Sequence, residues 1–365
     1  MFDIIILQYI WWGLMITLLI GFTITDGFDM GVAILLPFIA KSDIQRRVVI
    51  NTIGATWEGN QVWLITAIAG LLASFPKVYA TIFSSLYIIA FLVLFCLFLR
   101  PVGFDYRSKL TNPTWRQCWD IGLFIGGFIP SFLFGVILGN MFLGFPFYFD
   151  KWQVLFNDVS FFDLFSPFAI LIGCMSSTFL ALHGANWLNL KADGIIRQRA
   201  RKISKYLALL FIILWLTGGY SLMHINGFSL FNNQITMYKG AWLNNFIQHK
   251  NLFLFIPITI LSIMVNLFLQ KKSPFLAWIQ SVITIFLVFI TTAIAYFPFM
   301  LPSSLDVSQS LTLYNASSSY KTLNSMLIAV IIFLPLILLY TSWVYKVLKG
   351  RISEDKIHNS KSYWY

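Results

Sequence analysis

Only a few ionisable side chains lie inside the long apolar runs of this sequence, and they are the first candidates for chemistry. They are Asp26, Asp29, Glu58 and His183, with Arg100 at the end of an apolar run. A polar group that lacks a partner in hydrocarbon is costly, so such residues indicate either function or close pairing. The sequence contains no phosphate-binding loop, dinucleotide fingerprint or nucleophile triad.

Glu58 is the most informative of these acids. If a helix enters the membrane near Val48, a rise of about 1.5 Å per residue places Glu58 roughly 15 Å deep, close to mid-bilayer. A carboxyl group at that depth suits a proton relay; the competing interpretation is a protonated side chain that only joins neighbouring helices. Trp57, Asn60 and Gln61 form a polar and aromatic cluster around it, and the two amides can bond across helices.

Asp26 and Asp29 lie three residues apart and therefore share one face of a helix. Gly27 and Gly31 in the same segment allow another backbone or a cofactor to approach closely. Two interpretations remain open for the pair of acids. They either anchor the helix at the membrane interface or take part in proton entry.

His183 is the only histidine within an apolar run, since His224, His249 and His358 fall in loops or in the tail. A haem with two histidine ligands would need a second intramembrane histidine, so a hydrogen-bonded core histidine is favoured over a haem ligand. The three cysteines are far apart and show no metal-binding spacing.

The amino-acid composition indicates whether these residues are surrounded by water or by lipid. Of the 365 residues, 58% are hydrophobic and 11% charged, and the mean hydropathy is +0.78. Soluble domains carry about 25% charged residues, so most of this chain must lie in lipid. The net charge of +11 resides in short loops, which favours membrane orientation over nucleic-acid binding.

Nine apolar runs are long enough for a transmembrane helix, which takes about 20 residues. They are continuous rather than alternating, so the sequence predicts an all-α polytopic membrane protein and not a barrel. The runs cover approximately residues 8–36, 48–72, 77–99, 119–142, 165–190, 203–223, 252–270, 277–298 and 325–348. Residues 1–350 form one integral membrane domain, and the polar segment 302–320 is expected to pack over the outer face.

The basic residues set the predicted orientation. One set of alternate connections, with the C-terminal tail, holds twenty Lys and Arg residues, whereas the other set holds five. This bias places the N-terminus outside and the tail 351–365 in the cytoplasm. Asp105 and Lys109 then lie in a cytoplasmic segment of alternating charge, which is either a solvated loop or a proton-collecting mouth beneath Glu58.

Several motifs resemble subunit II of the cytochrome bd-type quinol oxidases. Residues 25–31 (TDGFDMG) resemble the family's first-helix signature, 57–64 (WEGNQVWL) its second-helix motif, and 100–109 (RPVGFDYRSK) its third-loop motif. Further matches occur at Gly139-Asn140, His183-Gly184-Ala185, residues 297–304 and residues 311–323. The resemblance covers essentially the whole chain and is highly specific.

The resemblance implies two four-helix bundles plus one peripheral ninth helix, in a multi-pass subunit of the bacterial inner membrane. It implies a larger partner, subunit I, that ligates haem b and haem d, so that this chain alone is not catalytic. The complex oxidises ubiquinol and reduces dioxygen to water, and it generates a proton motive force by vectorial proton uptake and release without pumping. Some members add a small accessory subunit or a bound structural quinone.

The resemblance also assigns roles to residues. Glu58, Asp105 and Lys109 match a proton pathway towards the partner's haem, although Glu58 stands where relatives usually have Asp. Asn315 stands where relatives often have an acid. Asp26, Asp29, Trp57, Asn60, Gln61 and Arg100 are assigned structural or interface roles.

Three other functions are alternatives to this one. The main alternative is a secondary transporter or ion channel that uses the buried acids, but neither an inverted repeat nor broken helices are evident from the sequence. The other two alternatives are a haem-bearing subunit with His183 as ligand and a purely structural scaffold.

Overall fold

The computed structural model describes residues 3–157, 159–232 and 234–359 and confirms the predicted all-α membrane fold. Residues 360–365 of the predicted tail lie outside this range. The helices are α1 (Ile4–Ile39), α2 (Asp43–Asn51), α3 (Trp57–Ser74), α4 (Pro76–Ser85), α5 (Tyr87–Tyr106), α6 (Pro113–Leu143), α7 (Pro167–Lys191), α8 (Gly194–Leu222), α9 (Asn244–Gln248), α10 (Phe255–Lys272), α11 (Pro274–Tyr296), α12 (Tyr320–Val347) and α13 (Glu354–Asn359).

Within the described residues, eight helices are long and apolar enough to cross a membrane, so the predicted count of nine is not confirmed. They are α1, α5, α6, α7, α8, α10 with the 3-10 turn before it, α11 and α12. The difference lies in the second predicted span, 48–72. The structure divides it into the end of α2, a turn at 52–56, and α3.

Local chemistry explains this break. The Thr52 hydroxyl donates to the Val49 carbonyl oxygen at 2.6 Å, a bond that competes with helical pairing of the backbone. Gly54 and Thr56 follow, and both have low helix propensity. The polar start of α3, residues 57–61, also lowers its hydropathy. The depth predicted for Glu58 depends on a continuous helix from Val48, which the structure does not have.

The helices form two groups of four. In the first, α1 packs against α3 and α6, and α5 packs on α6; in the second, α7 packs on α8 and α11, and α10 packs on α11. The contacts of α7 with α1 and α6 join the two bundles. Helix α12 contacts α1 and α3 and buries only Leu323 and Leu327, so it is peripheral.

The crossing of α1 and α7 depends on two glycines. A Cβ atom added at Gly31 would lie 2.0 Å from the Leu180 carbonyl oxygen, and one at Gly184 would lie 2.4 Å from the Gly31 carbonyl carbon. The expected close approach of a second backbone at Gly31 is therefore confirmed. Small residues allow such contact between membrane helices, where packing rather than the hydrophobic effect drives association.

Three antiparallel strand pairs cover one end of the bundles, which we call the strand end (residues 144–157, 159–166, 223–232, 234–254 and 297–319). They are β1 (Phe147–Phe149) with β2 (Leu155–Asn157), β3 (Asn226–Phe231) with β4 (Gln234–Lys239), and β5 (Phe299–Leu301) with β6 (Leu311–Thr312). These strands were not predicted from the sequence. Within segment 302–320, Ser303 and Ser310 are buried, and the Ser303 backbone N–H donates to Ser310 Oγ at 2.9 Å.

The opposite end, which we call the basic end, comprises residues 40–56, 107–112, 192–193, 273 and 348–359. The C-terminal segment folds back onto it. The Ile352 backbone N–H donates to the Lys191 carbonyl oxygen at 2.8 Å, and α13 packs on α2 with Ile357 buried. The described part of the tail is thus attached to the bundle rather than extended away from it.

Candidate functional site

A fully buried ion pair joins the first bundle. Arg100 on α5 donates to Asp26 on α1 through both terminal nitrogens, Nη1 to Oδ2 at 2.8 Å and Nη2 to Oδ1 at 2.5 Å. Both side chains have no exposed surface. Bidentate pairing of this kind is strong and fixes geometry as well as charge. Arg100 and Asp26 were expected to have structural roles, and the structure brings them together.

Asp29 lies beside this pair, as the shared helix face predicted. Its Oδ2 is 3.9 Å from Arg100 Nη2 and accepts a hydrogen bond from Asn60 Nδ2 at 2.8 Å. Its Oδ1, like Arg100 Nε, is buried without a hydrogen-bond partner. Two carboxylates thus share one guanidinium, and a single added proton would make the cluster electrically neutral.

Asn60 links three helices at this cluster. It lies in the first turn of α3, donates to Asp29 on α1, and accepts at Oδ1 from the Tyr345 hydroxyl on α12 at 2.7 Å. Sequence reasoning missed Tyr345 because a tyrosine near the end of an apolar run is usually an interface anchor. We call Asp26, Asp29, Asn60, Arg100 and Tyr345 the buried cluster.

Glu58 is exposed on this chain, not buried with the other acids. It follows Trp57 in the first turn of α3, where the partial positive charge of the helix start favours a carboxylate. The Trp57 ring packs 5.7 Å from the Phe104 ring near the end of α5. Asp105 directly follows Phe104, so this ring contact brings the two segments that carry the acids next to each other.

Asp105 and Lys109 are also exposed, and Gln61 is half-buried. Asp105 is five residues after Arg100 on α5, which turns it to a different face of that helix. The structure therefore separates the residues assigned to a proton pathway from those of the buried cluster. The two groups nevertheless meet in the first turn of α3, which contains Glu58 and Asn60.

A second ionic network, at the basic end, was not anticipated. Asp120 on α6 accepts from Arg107 Nε at 2.6 Å and from Arg46 at 2.8 Å, and Asp43 accepts from Arg107 at 2.9 Å and Arg116 at 2.7 Å. Burial alone would lower the pKa of Arg107, but its bonds to Asp120 and Asp43 outweigh this effect and raise the pKa. The network fixes α2 against α5 and α6.

Both ring nitrogens of His183 have hydrogen-bond partners within this chain. Its Nε2 is 3.0 Å from the Ile24 carbonyl oxygen, which can only accept, so Nε2 carries the proton and donates. Its Nδ1 is 2.9 Å from Ser281 Oγ. The adjoining cavity between α7, α10 and α11 has a volume of about 10 Å³, room for one water molecule. These contacts agree with the interpretation of His183 as a hydrogen-bonded core residue.

No group of three or more His, Cys, Asp or Glu residues suited to a metal ion occurs in the described part of the chain. Comparison with known proteins identifies the family: "Cytochrome bd terminal oxidase subunit II" matches residues 7–348. The chain belongs to this family. It is thus a multi-pass membrane subunit of a respiratory oxidoreductase complex, and the family's complex contains haem.

Individual relatives cover almost the full chain. The "Probable cytochrome oxidase subunit 2" of Haemophilus influenzae is 42% identical, and the "Cytochrome bd-I ubiquinol oxidase subunit 2" of Escherichia coli is 39% identical, each over 99% of both chains. Among solved structures, a chain of the bd oxidase from Geobacillus thermodenitrificans is similar with a TM-score of 0.73. It covers 93% of this chain and 98% of its own length at 18% identity, which supports the fold alone.

Proposed function

We propose that this chain is the second subunit of a quinol oxidase in which a larger subunit I ligates the b- and d-type haems. The complex oxidises ubiquinol, as the name of the Escherichia coli relative states for that protein, and reduces dioxygen to water. This chain supports the haem-bearing subunit and performs no redox step itself. Two observations support the assignment of the haems to subunit I. Both ring nitrogens of His183 have partners within this chain, and the cavity beside it is small.

The complex is proposed to lie in the bacterial inner membrane with its basic end in the cytoplasm. Twenty of the 25 Lys and Arg residues fall in the connections and tail that the sequence predicts on that side. The positive-inside rule then places the strand end and the N-terminus outside. Proton uptake from the cytoplasm and release outside would generate a proton motive force without pumping.

This chain is further proposed to supply a proton path that begins with Asp105 and Lys109 and continues to Glu58. The observation that carries this proposal is the packing of Trp57 on Phe104, which places the segments of Glu58 and Asp105 side by side. All three ionisable side chains are exposed on the isolated chain. They are thus available both to water and to a partner subunit, as a transfer between two subunits requires.

Replacing Glu58 tests the path. In the purified complex, Glu58→Gln should lower quinol-driven oxygen uptake by about 100-fold, the lower end of what a positioned proton-transfer group contributes. Haem content should not change. Glu58→Asp, which restores a carboxyl group one methylene shorter, should recover most of the activity.

Glu354→Gln serves as the matched control because it removes an exposed carboxylate from the tail. It should leave oxygen uptake unchanged. Full activity of Glu58→Gln in an assembled complex would rule out the relay.

A second experiment tests whether this chain binds haem by itself. The chain is expressed alone and its reduced-minus-oxidised spectrum is recorded. A haem band retained by the isolated chain would contradict the proposal.

A further inference from the structure

Glu58 has no partner on this chain that could hold it in place. It is exposed, and within the described residues it forms no ion pair or hydrogen bond. The Thr56 hydroxyl, which in many helices caps the first turn, donates instead to the Ile53 carbonyl oxygen at 3.3 Å. The chain also turns at 52–56, so α2 does not continue into α3. The position of Glu58 therefore depends on how the first turn of α3 is itself anchored.

Asn60 provides an anchor for this turn. It is 2% exposed, its Nδ2 donates to Asp29 Oδ2 on α1 at 2.8 Å, and its Oδ1 accepts from the Tyr345 hydroxyl on α12 at 2.7 Å. A carboxylate can only accept, so the amide nitrogen faces Asp29 and the amide oxygen faces Tyr345. The amide is thus held in one orientation between two other helices.

The helical geometry connects the direction of Asn60 to that of Glu58. Each residue of an α-helix is rotated by about 100° from the one before it, so side chains two residues apart point to nearly opposite sides. Asn60 points inward, to α1 and α12, and Glu58 is exposed on the other side. Fixing the rotation of the turn at Asn60 therefore fixes the direction in which Glu58 leaves the chain.

We propose that Asn60 is a positioning residue for Glu58, which holds the first turn of α3 so that the Glu58 carboxyl group faces the subunit that receives the proton. The inference rests on the proposed function of Glu58 as a relay. Proton transfer requires the two groups to lie within hydrogen-bond distance, directly or through one water molecule. A displacement of about 1 Å can cost about 100-fold in rate, even when the transferring group is intact.

Turnover of the purified two-subunit complex tests this role. Oxygen uptake per haem is measured over a range of ubiquinol concentrations. Asn60→Ala should lower kcat by about 10-fold, within the loss that a displacement of the relay can cause. The KM for ubiquinol and the haem spectrum should stay as in the parent, whereas damage to the fold would lower haem content as well.

The double variant Glu58→Gln/Asn60→Ala distinguishes positioning from an independent effect. If Asn60 acts through Glu58, the double variant should be no slower than Glu58→Gln alone, about 100-fold below the parent. Independent effects would multiply to about 1000-fold, and that result would overturn the inference. Full activity of Glu58→Gln would refute the relay and this inference with it. An impaired Glu58→Gln with parental turnover of Asn60→Ala would refute the positioning role alone.

Asn266→Ala is the matched control. Asn266 is also 2% exposed, donates to the Ala277 carbonyl oxygen at 2.5 Å and accepts from Gln270 Nε2 at 3.1 Å, but it lies in the second bundle. This variant loses a comparable pair of hydrogen bonds and should keep the parental kcat per haem. A loss of kcat equal to that of Asn60→Ala would overturn the inference.

A milder variant is available if Asn60→Ala fails to assemble. Tyr345→Phe removes only the hydroxyl group that bonds Asn60 Oδ1. It should lower kcat by a smaller factor than Asn60→Ala, and it should have no effect on kcat when Glu58 is already replaced by Gln. Parental turnover of Tyr345→Phe in the presence of Glu58 would then overturn the inference.

Discussion

The ion pair between Arg100 and Asp26 should be the most sensitive point of the first bundle. Arg100→Gln would leave Asp26 and Asp29 buried together without a cation, since both have no exposed surface. Removing one partner of a buried pair costs about 3–5 kcal/mol. Asp26→Asn should cost less, about 2–3 kcal/mol, because Arg100 retains Asp29 at 3.9 Å as a second acid.

The double variant distinguishes pairing from general damage. In Asp26→Asn/Arg100→Gln, only Asp29 remains charged, and Asn60 still donates to it at 2.8 Å. The loss of unfolding free energy in the double variant should therefore be smaller than the sum of the losses in the two single variants. The expected difference is about 0.5–3 kcal/mol, as for residues in contact. The measurement is SDS-induced unfolding of the purified complex in mixed micelles, followed by tryptophan fluorescence.

Arg116→Gln is the matched control. Arg116 pairs with Asp43 at 2.7 Å, but the two side chains are 26% and 40% exposed. An exposed pair contributes about 0–1 kcal/mol, so this variant should unfold almost like the parent. The reasoning would be refuted if Arg100→Gln cost no more than Arg116→Gln, or if the costs of Asp26→Asn and Arg100→Gln were simply additive.

Three further predictions follow from the same contacts. Tyr345→Phe removes the 2.7 Å bond to Asn60 and should destabilise the complex by about 0.5–1.5 kcal/mol in the same unfolding assay; no change would show that this bond does not hold α12. Gly31→Ala forces a Cβ to within 2.0 Å of the Leu180 carbonyl oxygen and should prevent assembly, which size-exclusion chromatography would detect. Gly13→Ala is the control, because an added Cβ there has nothing within 4 Å, and this variant should assemble normally. His183→Gln should leave the haem spectrum of the complex unchanged, because both ring nitrogens of His183 bond within this chain; loss of one haem would contradict this assignment.

The sequence was sufficient for the parts of the fold that depend on composition and on short spacing. Continuous apolar runs predicted long helices, and the three-residue spacing of Asp26 and Asp29 placed both carboxylates on one face, where the structure has them beside Arg100. The glycine at position 31 predicted a close helix contact, which Leu180 and Gly184 provide. These features are local, so they can be derived without knowing which helices are neighbours.

The segment before Glu58 shows where this kind of reasoning fails. Hydropathy predicted one continuous helix over residues 48–72, but the Thr52 hydroxyl bonds the Val49 carbonyl oxygen and the chain turns before α3. A break of five residues inside an apolar run hardly changes the average hydropathy of that run. The strand pairs of the strand end were missed for a similar reason, since short strands in loops carry no clear periodic pattern.

The sequence alone determined that the chain lies in lipid, that its helices are long, and that its basic residues gather on one side. Each of these properties follows from side-chain chemistry or from spacing along a single helix. Only the tertiary structure decided that Arg100 pairs with Asp26 and that Tyr345 reaches Asn60. Those contacts join helices that are far apart in the chain, and the register between packed helices is set by all their side chains together.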